Sequence, residues 1–278
     1  MLVGLMIRAQ QLAASALITV ERFDHPHDTP HVDPIEERSR HYSINFLERG
    51  EFTVRSGARR WRVTPAELFL TFPGQVLRYT HPDDRPEDVC LAVSFTEAGR
   101  DAIGAVLESL ARTAPVVPMT NRRAYLRTRL ADHLSHVTDS MAMDVLAAEL
   151  LEGTLEERGS RRVYGAPQLA WYAERIDAAR RRLDDDFASD HSLTELARDA
   201  GMSAFHFARI FRELAGTPPH RYLMRRRLDA AVIRLRDGES VTQTCYAVGF
   251  RSLSHFINVF RQRFGVSPSR ARAGRAGL

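Results

Sequence analysis

Arginine is the side chain through which this sequence can act on another molecule. All 39 basic residues are Arg and none is Lys; because even tolerant surface positions follow suit, the uniformity reflects genomic base composition and carries no mechanism by itself. Placement is more informative. Arg209 and Arg212 fall in one stretch, Arg261 in a second, and Arg221, Arg225, Arg226 and Arg227 between them. A guanidinium presents a planar fork that fits two phosphate oxygens or the O6 and N7 of guanine. Residues 1–166 carry 20 Arg against 23 acidic residues, whereas 167–278 carry 19 against 12, so the second part is suited to a polyanion. A basic balance alone describes many solvated faces, so the elements that hold these arginines decide what they can reach.

The remaining chemistry-bearing residues are weaker signals. His25, His27, His31, His41 and His81 invite a metal reading, since clustered histidines can hold iron or manganese. No carboxylate stands at a recognisable spacing, and Pro and Asp neighbours place His25-Pro26-His27 in an exposed loop, so neither a metal nor another cofactor is expected. The two cysteines, Cys90 and Cys245, are too few and too remote for a disulfide framework or a cysteine-based zinc site, which suits a reducing cytoplasm. Cys90 reads as a small packed hydrophobe, and Trp61 and Trp171 as core or platform residues. The longest apolar stretch, Leu12 to Val20, is far short of the ~20 residues a bilayer crossing needs, and no cleavable-signal layout precedes it. No membrane partner and no catalytic residues are expected.

A length of 278 residues allows roughly two domains. From Tyr42 to Phe95 apolar residues alternate with period two: Tyr42, Ile44, Phe46; Phe52, Val54; Trp61, Val63; Leu68, Leu70, Phe72; Val89, Leu91, Val93, Phe95. Breaks at Arg49-Gly50-Glu51, Ser56-Gly57, Thr64-Pro65 and Pro73-Gly74 make this a meander of short strands in a barrel or sandwich. After Thr96 the texture turns helical. Met141–Leu155 carries an apolar face with Val145, Leu146, Leu150 and Leu155, which either covers the barrel or joins two subunits. The stretch 158–167 is polar, contains glycine and lacks periodicity, as a linker would. It separates a domain over 1–157 from one over 168–278.

The last ninety or so residues contain a duplication. Leu193, Leu196, Ala197, Ala200 and Gly201 recur as Val241, Thr244, Cys245, Val248 and Gly249; one residue further out of step, Ser203, Phe207, Phe211, Arg212, Gly216, Pro219 and Arg221 recur as Ser252, Phe256, Phe260, Arg261, Gly265, Pro268 and Arg270. Each copy spells helix, tight turn, helix, over about 193–213 and 241–262. Ser192 with Glu195 and Ser240 with Gln243 are capping boxes, Gly201 and Gly249 end the first helices, and Ser203 and Ser252 cap the second. Phe207, Ile210 and Phe211, and Phe256, Val259 and Phe260, face inward. That leaves Ala204, Phe205, Ala208, Arg209 and Arg212 outward in the first copy, and Leu253, Ser254, Ile257, Asn258 and Arg261 in the second. A major groove admits one such helix. Thr217 is expected to cap, and Pro218 to open, a connecting helix that runs to about Arg236, a rod of roughly 27 Å. With the module radii added, the outward helices would sit about 34 Å apart, one turn of B-DNA. His206 and His255 occupy equivalent places, which favours packing or phosphate contact over base readout.

The run from Ser240 to Pro268 closely resembles the second helix-turn-helix of the AraC/XylS family of bacterial transcription regulators, and Leu193 to Pro219 resembles the first. The sequence departs from that pattern at Thr244, Cys245 and Ala271. Asn45-Phe-Leu-Glu-Arg-Gly-Glu-Phe52 and Leu68-Phe-Leu-Thr-Phe-Pro-Gly74 resemble the family's cupin-like sensing and dimerisation domain, with Pro65-Ala66-Glu67 in place of the usual Pro-Gly-Asp turn. The resemblance implies an α+β multidomain fold: an N-terminal cupin-like β-barrel plus helices, then an all-α domain with two helix-turn-helix modules joined by a linker helix. It implies a ligand-responsive activator that binds double-stranded DNA as a homodimer, contacts RNA polymerase, and answers to an unknown small-molecule effector. Base contacts then fall to Ala204, Phe205, Ala208 and Arg209, with Leu253, Ser254, Ile257 and Asn258; phosphate contacts fall to Ser203, Arg212, Arg225, Arg226, Ser252 and Arg261. Tyr42, Phe46, Trp61 and Tyr79 are candidates for an aromatic-lined effector pocket. The competing classes are a cupin-type metal-dependent enzyme and a nonspecific DNA-binding protein; the latter usually carries minor-groove wedges, which are not identifiable.

Overall fold

The alternating residues of the first half do become strands, and the 3.6-periodic residues of the second half become helices. A computed structural model of the chain describes residues 8–25, 35–82, 87–111, 115–136, 140–155 and 164–274, and the chain divides into two compact units, Met1–Tyr164 and Gly165–Leu278. In the N-terminal unit the described strands are β1 (Arg8–Ala14), β2 (Ile18–Asp24), β3 (Ile35–Arg38), β4 (Ser43–Arg49), β5 (Phe52–Ser56), β6 (Arg59–Val63), β7 (Glu67–Thr71), β8 (Val76–Thr80), β9 (Val89–Phe95) and β10 (Val116–Pro118). They form an antiparallel six-stranded sheet, ordered β1-β2-β9-β4-β7-β10, and a four-stranded sheet, ordered β3-β8-β5-β6. Leu12 to Val20, weighed above as a single apolar stretch, is a hairpin. The Ser15 hydroxyl accepts from the Leu17 and Ile18 amides at 3.2 and 3.1 Å in its turn.

Leu47 and Phe69 from one sheet meet Phe52, Val54, Val63 and Leu77 from the other in a buried core. The opposite face of the six-stranded sheet carries Ile44, Phe46, Leu68, Leu70, Leu91 and Val93, all buried. Helices α1 (Glu97–Ala111), α2 (Asn121–His136) and α3 (Ser140–Leu155) complete the unit, with α1 against β9 and α3 against β2. Met143, Leu146, Leu150 and Leu151 of α3 are buried within this unit, so most of its apolar face covers the sheet and helices, and Val145 stays 53% exposed. Arg123 of α2 donates from Nε to the Gly153 carbonyl (3.0 Å) and from Nη2 to that of Thr154 (2.9 Å), satisfying carbonyls that the last turn of α3 leaves without helical partners. Where the family turn has Pro-Gly-Asp, Glu67 closes the turn by accepting from the Thr64 amide and hydroxyl at 2.9 and 2.6 Å.

The C-terminal unit has seven helices among its described residues: α4 (Ala166–Asp185), α5 (Leu193–Asp199), α6 (Ala204–Ala215), α7 (Pro219–Arg236), α8 (Val241–Ala247), α9 (Leu253–Phe264) and α10 (Pro268–Ala273). Ala166 and Pro167, expected in the linker, form the first turn of α4, where a proline costs no helical hydrogen bond; residues 158–163 lie outside the described set. Thr217 is not the cap of α7: that place belongs to Pro218, with Pro219 at the first helical position. The helix stops at Asp237, and Gly238 follows with φ 92°.

Candidate nucleic-acid interface

Each module begins with a serine whose oxygen accepts the amide three residues on: Ser192 from Glu195 (3.1 Å) and Ser240 from Gln243 (3.2 Å). Ser203 and Ser252 do the same for the second helices, accepting from His206 and His255 at 3.3 Å each. In α6, Phe207, Ile210, Phe211 and Leu214 are fully buried, which forces the other side of the helix outward. Phe205 is 82% exposed, Arg209 and Arg212 are exposed, and Ala204 and Ala208 are half-buried beside them. Arg209 reaches Glu213 one turn on (3.3 Å), an exposed ion pair worth less than about 1 kcal/mol, so the guanidinium can exchange that partner for a stronger one. His206 is tied to α4, its Nε2 lying 3.1 Å from the Tyr172 hydroxyl, which makes it a packing residue.

In α9 the geometry corrects half of the expected face. Leu253 and Ile257 are half-buried against the core formed by Leu228, Leu235, Cys245, Phe256 and Phe260, and do not stand outward. The apolar arc of α9 is wider than the repeat pattern indicated, because α7 and α8 cover it. Ser254, Asn258 and Arg261 remain exposed, together with His255 and Gln262.

The arginines of α7 also divide. Arg221 and Arg225, one turn apart, are exposed. Arg226, a phosphate candidate, turns back to α4: its Nε lies 2.6 Å from Asp184, which also accepts the Tyr222 hydroxyl at 2.9 Å. Arg227 is buried, with Nε donating to the Phe187 carbonyl and Nη2 to that of Ser189, both at 2.8 Å, so it fastens the α4–α5 loop to α7. Trp171, expected in the core or as a platform, is 41% exposed with the Arg175 guanidinium 3.8 Å from its ring centre, the platform alternative.

In the N-terminal unit the four pocket candidates do not line one cavity. Period-two alternation puts Phe46, with Tyr42 edge-on to Phe72 (6.2 Å), on the helix-facing side of the six-stranded sheet, whereas Trp61 and Tyr79 pack against the core between the sheets. A shared period does not say which face is the interior. Cys90 packs against that same core, and burial pushes its thiol up, as expected of a packing residue. His27 and His31 lie outside the described residues and His41 is exposed. His25 and His81, however, converge on Asp88, the carboxylate that no spacing in the sequence revealed. Burial alone would raise the Asp88 carboxyl; hydrogen bonds from both imidazoles outweigh it and hold it well below the usual carboxylate range.

Two capped helix-turn-helix modules on one basic unit, joined to a double-sheet unit, define a regulator that binds DNA and senses a ligand. Residues 196–274 match the family model of a helix-turn-helix domain and residues 18–151 that of an AraC-like ligand binding domain. The chain is 26% identical over 242 residues to the HTH-type transcriptional regulator ExsA of Pseudomonas aeruginosa, covering 84% of this chain and 86% of that one. It is 25% identical over 232 residues to the thermoregulatory protein LcrF of Yersinia pestis, covering 82% and 78%. Over 107 residues, 38% of each chain, it is 36% identical to the HTH-type transcriptional activator RhaS of Escherichia coli. The chain belongs to the AraC/XylS family of transcription regulators. No helix among the described residues is long and apolar enough to cross a membrane.

Proposed function

We propose that this regulator reads two successive major grooves on one face of double-stranded DNA, with α6 and α9 as recognition helices. The observation that carries this reading is the paired construction: each helix buries phenylalanines on one side and shows polar or basic residues on the other, within one unit of net positive charge. By side-chain chemistry Arg209 pairs with guanine O6 and N7, Asn258 with adenine N6 and N7, and Phe205 lies against a thymine methyl. Ser203, Arg212, Arg225, Ser252 and Arg261 contact phosphates, and the 18-residue α7 spans the intervening backbone. A fragment containing the cognate operator is expected to bind at least about a thousandfold tighter than random duplex at the same salt. A ratio near one, measured by fluorescence anisotropy, overturns sequence-specific reading and leaves a nonspecific binder.

The N-terminal unit supplies regulation and assembly in this proposal. An unidentified small molecule bound there shifts the populations of arrangements in which a homodimer presents its readers, and the bound form activates transcription through RNA polymerase. The likeness to a relative named as a transcriptional activator supports activation. The exposed Val145 of α3 and Val106 of α1 support a contact between subunits in this unit. Removing residues 1–164 is expected to leave DNA binding and abolish dimerisation in sedimentation velocity. A truncated chain that still sediments as a dimer places the contact in the helical unit.

A further inference from the structure

We propose that His25, His81 and Asp88 form a binding site for one divalent transition-metal ion, clipping the two sheets of the N-terminal unit together. The site is independent of DNA reading, and neither the family models nor the relatives assign it. His25 directly follows β2 and Asp88 directly precedes β9. These neighbouring strands hold Asp24 opposite Val89, and the His25 amide extends their ladder by donating to the Asp88 carbonyl at 3.2 Å. His81 directly follows β8, a strand of the other sheet. Three residues distant in the chain therefore meet where the two sheets come together.

Nδ1 of His25 lies 2.9 Å from Asp88 Oδ1, and Nε2 of His81 lies 3.2 Å from the same oxygen. The three ligand atoms all fall within 4.8 Å of one another. Metal–ligand bonds of about 2.0–2.2 Å in octahedral or tetrahedral geometry separate adjacent ligand atoms by about 2.8–3.6 Å, so two edges of the triangle already match. The third, between the two imidazole nitrogens, is no longer than 4.8 Å.

The side chains of Asp88 and His81 are 4% and 2% exposed, and the ring of Phe52 stands edge-on to His81 at 6.3 Å. Placing a carboxylate there costs more than an apolar residue would, unless a cation or a full set of donors compensates it. Two nitrogens and one oxygen make a borderline donor set that suits zinc or ferrous iron, whereas calcium and magnesium favour oxygen alone. Three protein ligands leave a coordination position for water or a small ligand.

The test uses the full chain, stripped with EDTA and titrated with Zn²⁺ by calorimetry. One equivalent is expected to bind to the wild type, and Asp88→Asn and His81→Gln should each weaken it by more than about 100-fold, whereas His41→Gln should not. Because the first two variants remove buried contacts and can unfold, imidazole ¹⁵N resonances of the wild type supply a second readout. Zinc is expected to shift the Nδ1 signal of His25 and the Nε2 signal of His81. An unbound wild type at ~100 μM zinc, unshifted signals from those nitrogens, or zinc held equally by a folded His81→Gln variant each overturns the proposal. DNA affinity of the stripped wild type, measured alongside, reports separately on the reading of DNA.

Discussion

Gly249→Ala is expected to destabilise the helical unit by about 4 kcal/mol or more, whereas the equivalent change in the first module, Gly201→Ala, costs only about 1–2 kcal/mol. Both glycines stand in the left-handed region, at φ 86° and 65°, where a Cβ meets the neighbouring carbonyl oxygen. Around Gly201 a Cβ would find nothing within 4 Å. At Gly249 it would fall 2.3 Å from the Ala188 carbonyl oxygen and 2.8 Å from its carbon, both backbone atoms of the α4–α5 loop. That loop cannot retreat easily, because Arg227 grips the carbonyls of Phe187 and Ser189 and Arg251 pairs with Asp190. At roughly 4–8 °C per kcal/mol, the unit's transition should fall by up to about 16 °C for Gly201→Ala and by at least that for Gly249→Ala, followed by circular dichroism. Equal shifts would mean that the loop yields.

Arg209→Ala should weaken operator binding by about 1–3 kcal/mol and relax preference at a single guanine, while Arg225→Ala should weaken every sequence alike and lower the log–log salt slope by about one. The contrast follows from position. Arg209 lies beside the exposed Phe205 on α6, in the ion pair with Glu213 described above, while Arg225 projects from the helix between the readers. Arg226→Ala is the instructive companion: its partner is Asp184, so its loss acts on the junction of α4 and α7 more than on the salt slope. Binding measured across an operator mutated at every position, at three salt concentrations, distinguishes these outcomes. The same effect from Arg209→Ala and Arg225→Ala would remove the division between base and phosphate contacts.

β5 and β6 were legible because one face of each is more buried than the other, which writes a period of two into the sequence; β4, β7 and β9 bury residues on both faces, yet their helix-facing positions, Ile44, Phe46, Leu68, Leu70, Leu91 and Val93, are large and apolar in steps of two. β8 was not legible, since Val76 and Leu77 are adjacent apolar residues and blur that alternation. β1 and β2 were hidden in an apolar run whose turn is made by Ser15 rather than by glycine or proline. In the helical unit the outward face of α6 was legible because its large buried residues, Phe207, Ile210, Phe211 and Leu214, recur at helical spacing on one side. That of α9 was half misread, because Leu253 and Ile257 are drawn onto a core contributed by other helices.

What the sequence determined by itself was the two-module reader, its turns and its caps, since a serine three residues before the amide it accepts, or a glycine at a left-handed turn, acts over one helical turn and needs no distant partner. Tertiary structure alone decided which arginines face outward, why one of two matching glycines is irreplaceable, and that two histidines share one aspartate. Each of those depends on residues tens of positions apart, such as Arg227 with Phe187 or His25 with Asp88, and chain proximity carries no record of such a meeting until packing brings the groups together.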